Sequence, residues 1–176
     1  MENKEDRMKT TSVARETKSI SVREATRTDV TFILDMIKEL AAHEHSADEV
    51  VATEESLTKW LFDEPIAGCL IGSLDDTPQG IAFYFVNFST WTGGPGFFLE
   101  DLIVSEGARG QGLGRALLQA LAAKALDRGY PCLEWFCLDW NKPSLEFYRS
   151  LGAKVRADWI PHRLDGEALA NLAKGA

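Results

Sequence analysis

The stretch RGQGLG, Arg109 to Gly114, sets three glycines at alternate positions between two segments that read as regular structure. Before it, FFLEDLIV is an apolar run of strand length; after it, Leu113, Leu117, Ala120, Leu121 and Ala125 recur at helical spacing up to Gly129. A glycine-rich turn that leaves a strand and opens a helix restricts the chain to folds mixing sheet and helix. It also has a chemical consequence: backbone amides and the positive end of a helix dipole converge there, which makes an anion site. The alternative is a plain tight turn. A dinucleotide fingerprint needs a glycine three residues beyond Gly112, where Arg115 stands, and a P-loop needs Gly-Lys-Ser/Thr, so the stretch is neither.

The flanking sequence supplies the other elements. ISVRE, from Ile20, alternates as a strand, and Thr26 with Asp29 reads as a capping box. The helix it opens runs to about Ala42 with Val30, Ile33, Leu34, Ile37 and Leu40 on one face, and Thr53 starts a second through Leu57, Trp60 and Leu61. AGCLIGS, QGIAFYFVNF and FFLEDLIV are three strands joined by loops short enough for antiparallel pairing. Beyond Gly129, PCLEWFCL reads as a buried strand and NKPSLEFYRSL as a helix with Asn141 as N-cap and Pro143 in its first turn; the remainder is expected to add one or two strands. The order β-α-α-β-β-β-α-β-α-β is that of an α+β or mixed α/β domain. Residues 1–19 mix both charge signs with almost no apolar content, so they read as a disordered extension before a single domain at 20–176.

Charge narrows the function. A net charge of −8 gives nucleic acid no basic face to bind and favours a cationic small molecule instead. Cys69, Cys132 and Cys137 are odd in number and scattered, as expected of reduced thiols in a cytoplasmic protein, and His43, His45 and His162 show no metal-ligand spacing with them, so no metal is expected. No apolar run approaches the roughly 18 residues of a membrane span, and the N-terminus has no signal-peptide core.

FFLEDLIV-SEGARGQGLGRALL resembles the central strand and coenzyme loop of the GNAT acetyltransferases, whose Arg/Gln-x-x-Gly-x-Gly/Ala signature is matched by Arg109, Gly112 and Gly114. LDWNKPSLEFYRSLGA is similar to their second signature, in which an Asn begins a helix that carries a Tyr toward the thioester sulfur. KELAAHE, LEDLIV and DWN followed by FYRSLGA resemble the spermidine/spermine N-acetyltransferase branch, and STW at Ser89–Trp91 with LDWN at Leu138–Asn141 resemble its thialysine-acetylating members. Two departures lie in the acceptor half: His43 replaces the usual aromatic residue, and DWIPHRLDGE keeps little beyond its Trp.

The resemblance implies a central mixed, mostly antiparallel sheet flanked by helices, acetyl-CoA as co-substrate, a small-molecule amine acceptor and a homodimer. It assigns the coenzyme to Leu102, Ile103, Val104, Arg109, Gly110, Gln111, Gly112, Leu113, Gly114, Arg115, Asn141, Ser144 and Tyr148. An alkylamine with a pKa of about 10.4 must lose a proton before it attacks. Glu100 is the expected base: strict alternation of FFLEDLIV would project Glu100 and Asp101 from opposite faces of an apolar strand, where an unpaired buried carboxylate is costly. The alternative is a solvated pair at a strand edge. Tyr148 is the expected proton or hydrogen-bond donor to the departing thiolate, and an amide of Leu102–Val104 is expected to hold the carbonyl oxygen. Around the acceptor fall Glu44, Ser89, Thr90, Trp91, Asp101, Leu138, Asp139 and Trp159, with Trp140 as a further lining residue; a Ser-Thr pair offers hydroxyls suited to an α-carboxylate. Peptide acetylation on the same fold and a non-catalytic acyl-CoA sensor are the alternatives.

Overall fold

The computed structural model describes residues 18–175, so the extension expected at the N-terminus lies, up to residue 17, outside the described residues. The chain forms two compact units, one reaching Phe136 and the other starting at Cys137.

The first unit is built on a five-stranded sheet in sequence order. Strands β1 (Ile20–Glu24), β2 (Ala67–Leu74), β3 (Thr77–Ser89) and β4 (Gly94–Val104) pair antiparallel, and β5 (Leu133–Trp135) joins β4 in parallel. The β2–β3 turn is made by Asp75 and Asp76, both at positive φ (47° and 61°), the left-handed pair that a two-residue hairpin requires. Helix α1 (Val30–His43) enters through Thr26 and Asp29: the Asp29 carboxylate accepts the Thr26 N–H at 2.7 Å and both Arg23 Nη atoms at 2.7 Å. The Arg23 pairing holds Asp29 well below the usual carboxylate range.

Helices α1 and α2 (Glu54–Thr58, continued by a π-helical turn at Lys59–Asp63) cover one face of the sheet. Val30, Ile33, Leu34, Met36, Leu57 and Leu61 are buried there with Cys69, Ile71, Ile81 and Ile103. Met36 takes a core place beside the expected stripe, while Ile37 and Leu40 are half-buried. Helix α3 (Leu113–Asp127) covers the other face, where Gly72 and Gly80 leave room for it: a Cβ at Gly72 would lie 2.9 Å from Leu113 Cδ1. On that same face the Tyr84 ring crosses Gly68 and donates to Glu24 Oε2 at 3.1 Å, and Lys124 of α3 pairs with the other oxygen of Glu24.

The second unit contains α4 (Lys142–Ser150), capped as expected by the Asn141 side chain, which accepts the Ser144 N–H at 3.2 Å. Two expectations need correction. The segment PCLEWFCL forms a strand only at Leu133–Trp135, and it is not fully buried: Phe136 is 71% exposed. No closing strand follows α4 among the described residues. Val155, Trp159 and Ile160 are exposed in an irregular stretch with a turn at Arg156–Trp159 and with Pro161, which cannot donate to a ladder; GEALANLAK, rich in helix formers, makes α5 (Gly166–Lys174) instead.

Candidate active site

The site grows from an irregularity in β4. Along β3 and β4 the register runs Phe83↔Asp101 and then Tyr84↔Leu99, so Glu100 is one residue too many and forms a β-bulge. The bulge reverses the parity of β4. Phe97 lies on the α3 side, packed edge-on against Tyr84 and Tyr130, whereas Ile103 lies in the core under α1. Odd-numbered residues thus face α3 before the bulge and α1 after it. Strict alternation would have separated Glu100 and Asp101; the bulge instead sets both on the side of Phe98, which corrects the expectation from sequence.

The two carboxyls have different surroundings. Glu100 is exposed, while Asp101 is largely withdrawn from water and opposite Phe83. Burial, with the like charges of Glu100 and Glu44, pushes the Asp101 carboxyl up to about 6. Glu44 contributes because it ends α1 as its C-cap residue. Three of the expected acidic residues are therefore brought into one electrostatic neighbourhood.

Beside this cluster the sheet opens. The parallel ladder to β5 covers Phe97–Leu99 and stops, so among the described residues no strand lies against that edge of Glu100–Val104. This edge carries Leu102–Val104, whose amides the resemblance assigns to the coenzyme and the carbonyl oxygen. Ile103 itself is buried, so only its backbone can serve a ligand, and the Val104 carbonyl accepts Arg109 Nε at 3.0 Å. The chain then makes a single 3₁₀ turn at Glu106–Ala108 and enters the glycine stretch. Gly110 and Gly112 have φ of 74° and 92°, which explains glycine there by backbone conformation. Gly112 is the N-cap of α3, so the N–H groups of Leu113 and Gly114 point out of the helix end, and a Cβ at Gly110 would meet nothing within 4 Å. The loop is held from below by Gln111, whose amide donates to the Gly107 carbonyl at 3.0 Å, and Arg115 follows in the first turn. The geometry fits a pyrophosphate.

In the second unit, Asn141, Ser144 and Tyr148 fall on one face of α4, at spacings of three and four, with Tyr148 half-buried against Phe147. Leu138 and Asp139 precede the cap; the Asp139 carbonyl accepts Lys142 Nζ at 2.6 Å, and the exposed Trp159 ring lies under Arg156. Ser89, Thr90 and Trp91 are elsewhere in the first unit. They form the tip of the β3–β4 hairpin, Ser89 Oγ accepting the Thr92 N–H, and six strand positions separate Ser89 from Phe83, about 20 Å. One small acceptor cannot touch both this tip and Asp101 within a single chain, so the three residues do not join that site.

The structure adds residues that sequence reasoning missed. Phe85, Phe98 and Phe136 form an aromatic row on the face that holds Asp101, and beside it Asn87 donates to Glu134 at 2.8 Å. The alternation of β3 could have placed Phe85 and Asn87 with Phe83; only the bulge joins Phe98 to Asp101.

The chain matches the family model described as Acetyltransferase (GNAT) family over residues 34–153. It is 36% identical over 167 residues to the thialysine N-epsilon-acetyltransferase of Sus scrofa, a match that covers 88% of this chain and 98% of that one. It is 28% identical to an L-ornithine N5-acetyltransferase of Arabidopsis thaliana, covering 87% of each. Among solved structures, an integron cassette protein of V. cholerae superposes with a TM-score of 0.74 at 24% identity, covering 89% of this chain and 98% of that chain. No described helix is long and apolar enough to cross a membrane. Bulged strand, opened sheet, glycine loop and these likenesses agree: the chain belongs to the GNAT acetyltransferase family and is an acetyl-CoA-dependent N-acetyltransferase.

Proposed function

We propose that this enzyme acetylates the side-chain amine of a small amino acid of the thialysine or lysine type in preference to a polyamine, and that it works in the cytoplasm as a homodimer. The observation that carries the reading is the half-buried Asp101 at the end of an aromatic row, beside the open edge of β4. We assign the base to Asp101 and not to Glu100, the base expected from sequence: the Asp101 carboxyl, at about 6, is ionised at neutral pH yet still basic enough to take a proton from an incoming ammonium, while Glu44 and the exposed Glu100 add negative potential. The freed amine attacks the thioester carbonyl carbon, the C–S bond breaks, and the Tyr148 hydroxyl stabilises the departing thiolate. Leu102–Val104 supply backbone to the pantetheine arm and Arg109–Arg115 receive the pyrophosphate; Asn141, Ser144 and Tyr148 are assigned to the coenzyme as the resemblance implies.

The aromatic row suits an apolar stem, and Glu134, about 10 Å from Asp101 along the sheet, suits a second ammonium such as an α-amino group. The relatives named for thialysine and ornithine act on amino acids with a side-chain amine, which supports the same choice. Leu138, Asp139 and Trp159 are assigned to the acceptor as the resemblance implies. The test is kcat/KM, by thiol release from acetyl-CoA, for thialysine, lysine, ornithine, spermidine, putrescine and a basic peptide. A thialysine-to-spermidine ratio above one is expected. A ratio at or below one returns the acceptor to the polyamines, and turnover of the peptide alone makes the enzyme a peptide acetyltransferase.

A further inference from the structure

Helix α1 touches the chain that leads into the glycine stretch at two consecutive residues. Glu39 Oε1 accepts the Glu106 N–H at 3.2 Å, and one turn earlier Met36 Sδ accepts the Ser105 hydroxyl at 3.5 Å. Positions 36 and 39 share a helical face, so both contacts come from one rigid rod. Ser105 is the N-cap of the 3₁₀ turn and Glu106 its first residue; the Gln79 carbonyl accepts the Ser105 N–H, and the Glu39 carboxylate accepts the Glu106 N–H and so caps the turn. From there the path is short: the Arg109 N–H closes on the Glu106 carbonyl at 3.2 Å, and Gly110–Gly112 follow. Ala108, the last residue of the turn, is buried. The same helix ends at Glu44, five residues or about 7.5 Å beyond Glu39.

We propose that Glu39 is a positioning residue for the coenzyme loop: through Glu106 it fixes the point from which the chain turns toward Arg109–Gly114. This rests on the reading that Arg109–Gly114 receives the pyrophosphate. The alternative role of Glu39 is mere charge, and the two differ in sign. A carboxylate that acted only through its charge would repel a polyanionic coenzyme, so its removal would tighten binding. A carboxylate that holds the loop does the reverse.

The experiment measures coenzyme A affinity by calorimetry, with KM for acetyl-CoA and for the amine, in the full chain carrying Glu39→Ala or Glu39→Gln. Positioning predicts that Glu39→Ala raises the coenzyme Kd and KM by about three- to tenfold, the range for one ordinary hydrogen bond, as suits an exposed contact, with the amine KM unchanged. Glu39→Gln keeps an acceptor oxygen and is expected to restore most of the affinity. Unchanged or tighter binding in a folded Glu39→Ala protein overturns the proposal, and so does equal weakening in both variants. If Glu39→Ala does not fold, Ser105→Ala, which removes the parallel contact, takes its place under the same criterion. Gly112→Val separates the two levels of inference: if it leaves coenzyme affinity intact in a folded protein, the loop reading itself fails, whereas its loss alongside an unaffected Glu39→Ala defeats only the role of Glu39.

Discussion

Replacing Asp101 by Asn should make the protein more stable and less active, with the gain in stability appearing only above acidic pH. The folded state raises this carboxyl from 3.8 to about 6, chiefly by burial. Between those two values the folded chain holds a proton that the unfolded chain has released, so stability falls as pH rises through the window and levels off above it. Two decades in proton affinity correspond to about 3 kcal/mol, an upper limit because water and neighbouring charges relax around the folded carboxylate. Asn keeps the shape without the charge, so about 1–3 kcal/mol should be recovered at pH 8, a rise in Tm of roughly 3–9 °C for a chain of this size. Thermal unfolding of both proteins without substrates, at intervals from pH 4 to pH 8, checks this: the curves should nearly coincide at pH 4, separate through pH 5 and 6, and run parallel above pH 7. The kcat/KM for the amine, which in the wild type should rise through about pH 6, should fall at least tenfold in the variant at pH 8. A variant offset equal at both ends of the range, or a variant less stable at pH 8, would refute the reasoning.

Two further outcomes test the loop and the helix. Gly112→Val forces a branched residue to a φ of 92°, so it should abolish coenzyme A binding by calorimetry while circular dichroism shows the helix content retained. Tyr148→Phe removes only a hydroxyl from a half-buried ring, so coenzyme affinity should stay within about twofold while kcat drops at least tenfold; unchanged kcat would reduce Tyr148 to packing.

What could be read from the chain was what is written locally. Asp29 returning to Thr26, Asn141 capping α4 with Pro143 in its first turn, and glycines at Gly110 and Gly112 are each decided within a few residues, and the structure has all of them. The bulge at Glu100 is not of that kind. LED carries no glycine or proline to announce it, and only the pairing of Phe83 and Tyr84 with the far strand shows one residue in excess. From that single miss follow the opposite faces assigned to Glu100 and Asp101 and the unseen row of Phe85, Phe98 and Phe136. Ser89–Trp91 stand apart from Asp101 within one chain for another reason: a motif can name residues, but their distance from Asp101 is set by strand length. The one or two strands expected after α4 are absent among the described residues, because composition alone does not distinguish a strand from the exposed irregular stretch at Val155–Ile160.

The Tyr84 ring crossing Gly68 gives the first unit a mechanical property. Strand β1 is the edge of the sheet and, among the described residues, shares its ladder with β2 alone, yet Glu24 at its end is gripped by Tyr84 from β3 and by Lys124 from α3. The grip passes over β2 because position 68 has no side chain; a Cβ there would stand 2.5 Å from the phenol ring. A pull on the chain where it enters β1 at Ile20 is therefore resisted by a tie that spans three strands and a helix, and not by one ladder alone. With Glu24, Tyr84 and Lys124 holding one another, the edge strand cannot peel without loosening the seat of α3, so the outermost strand and the helix that the glycine stretch opens yield together.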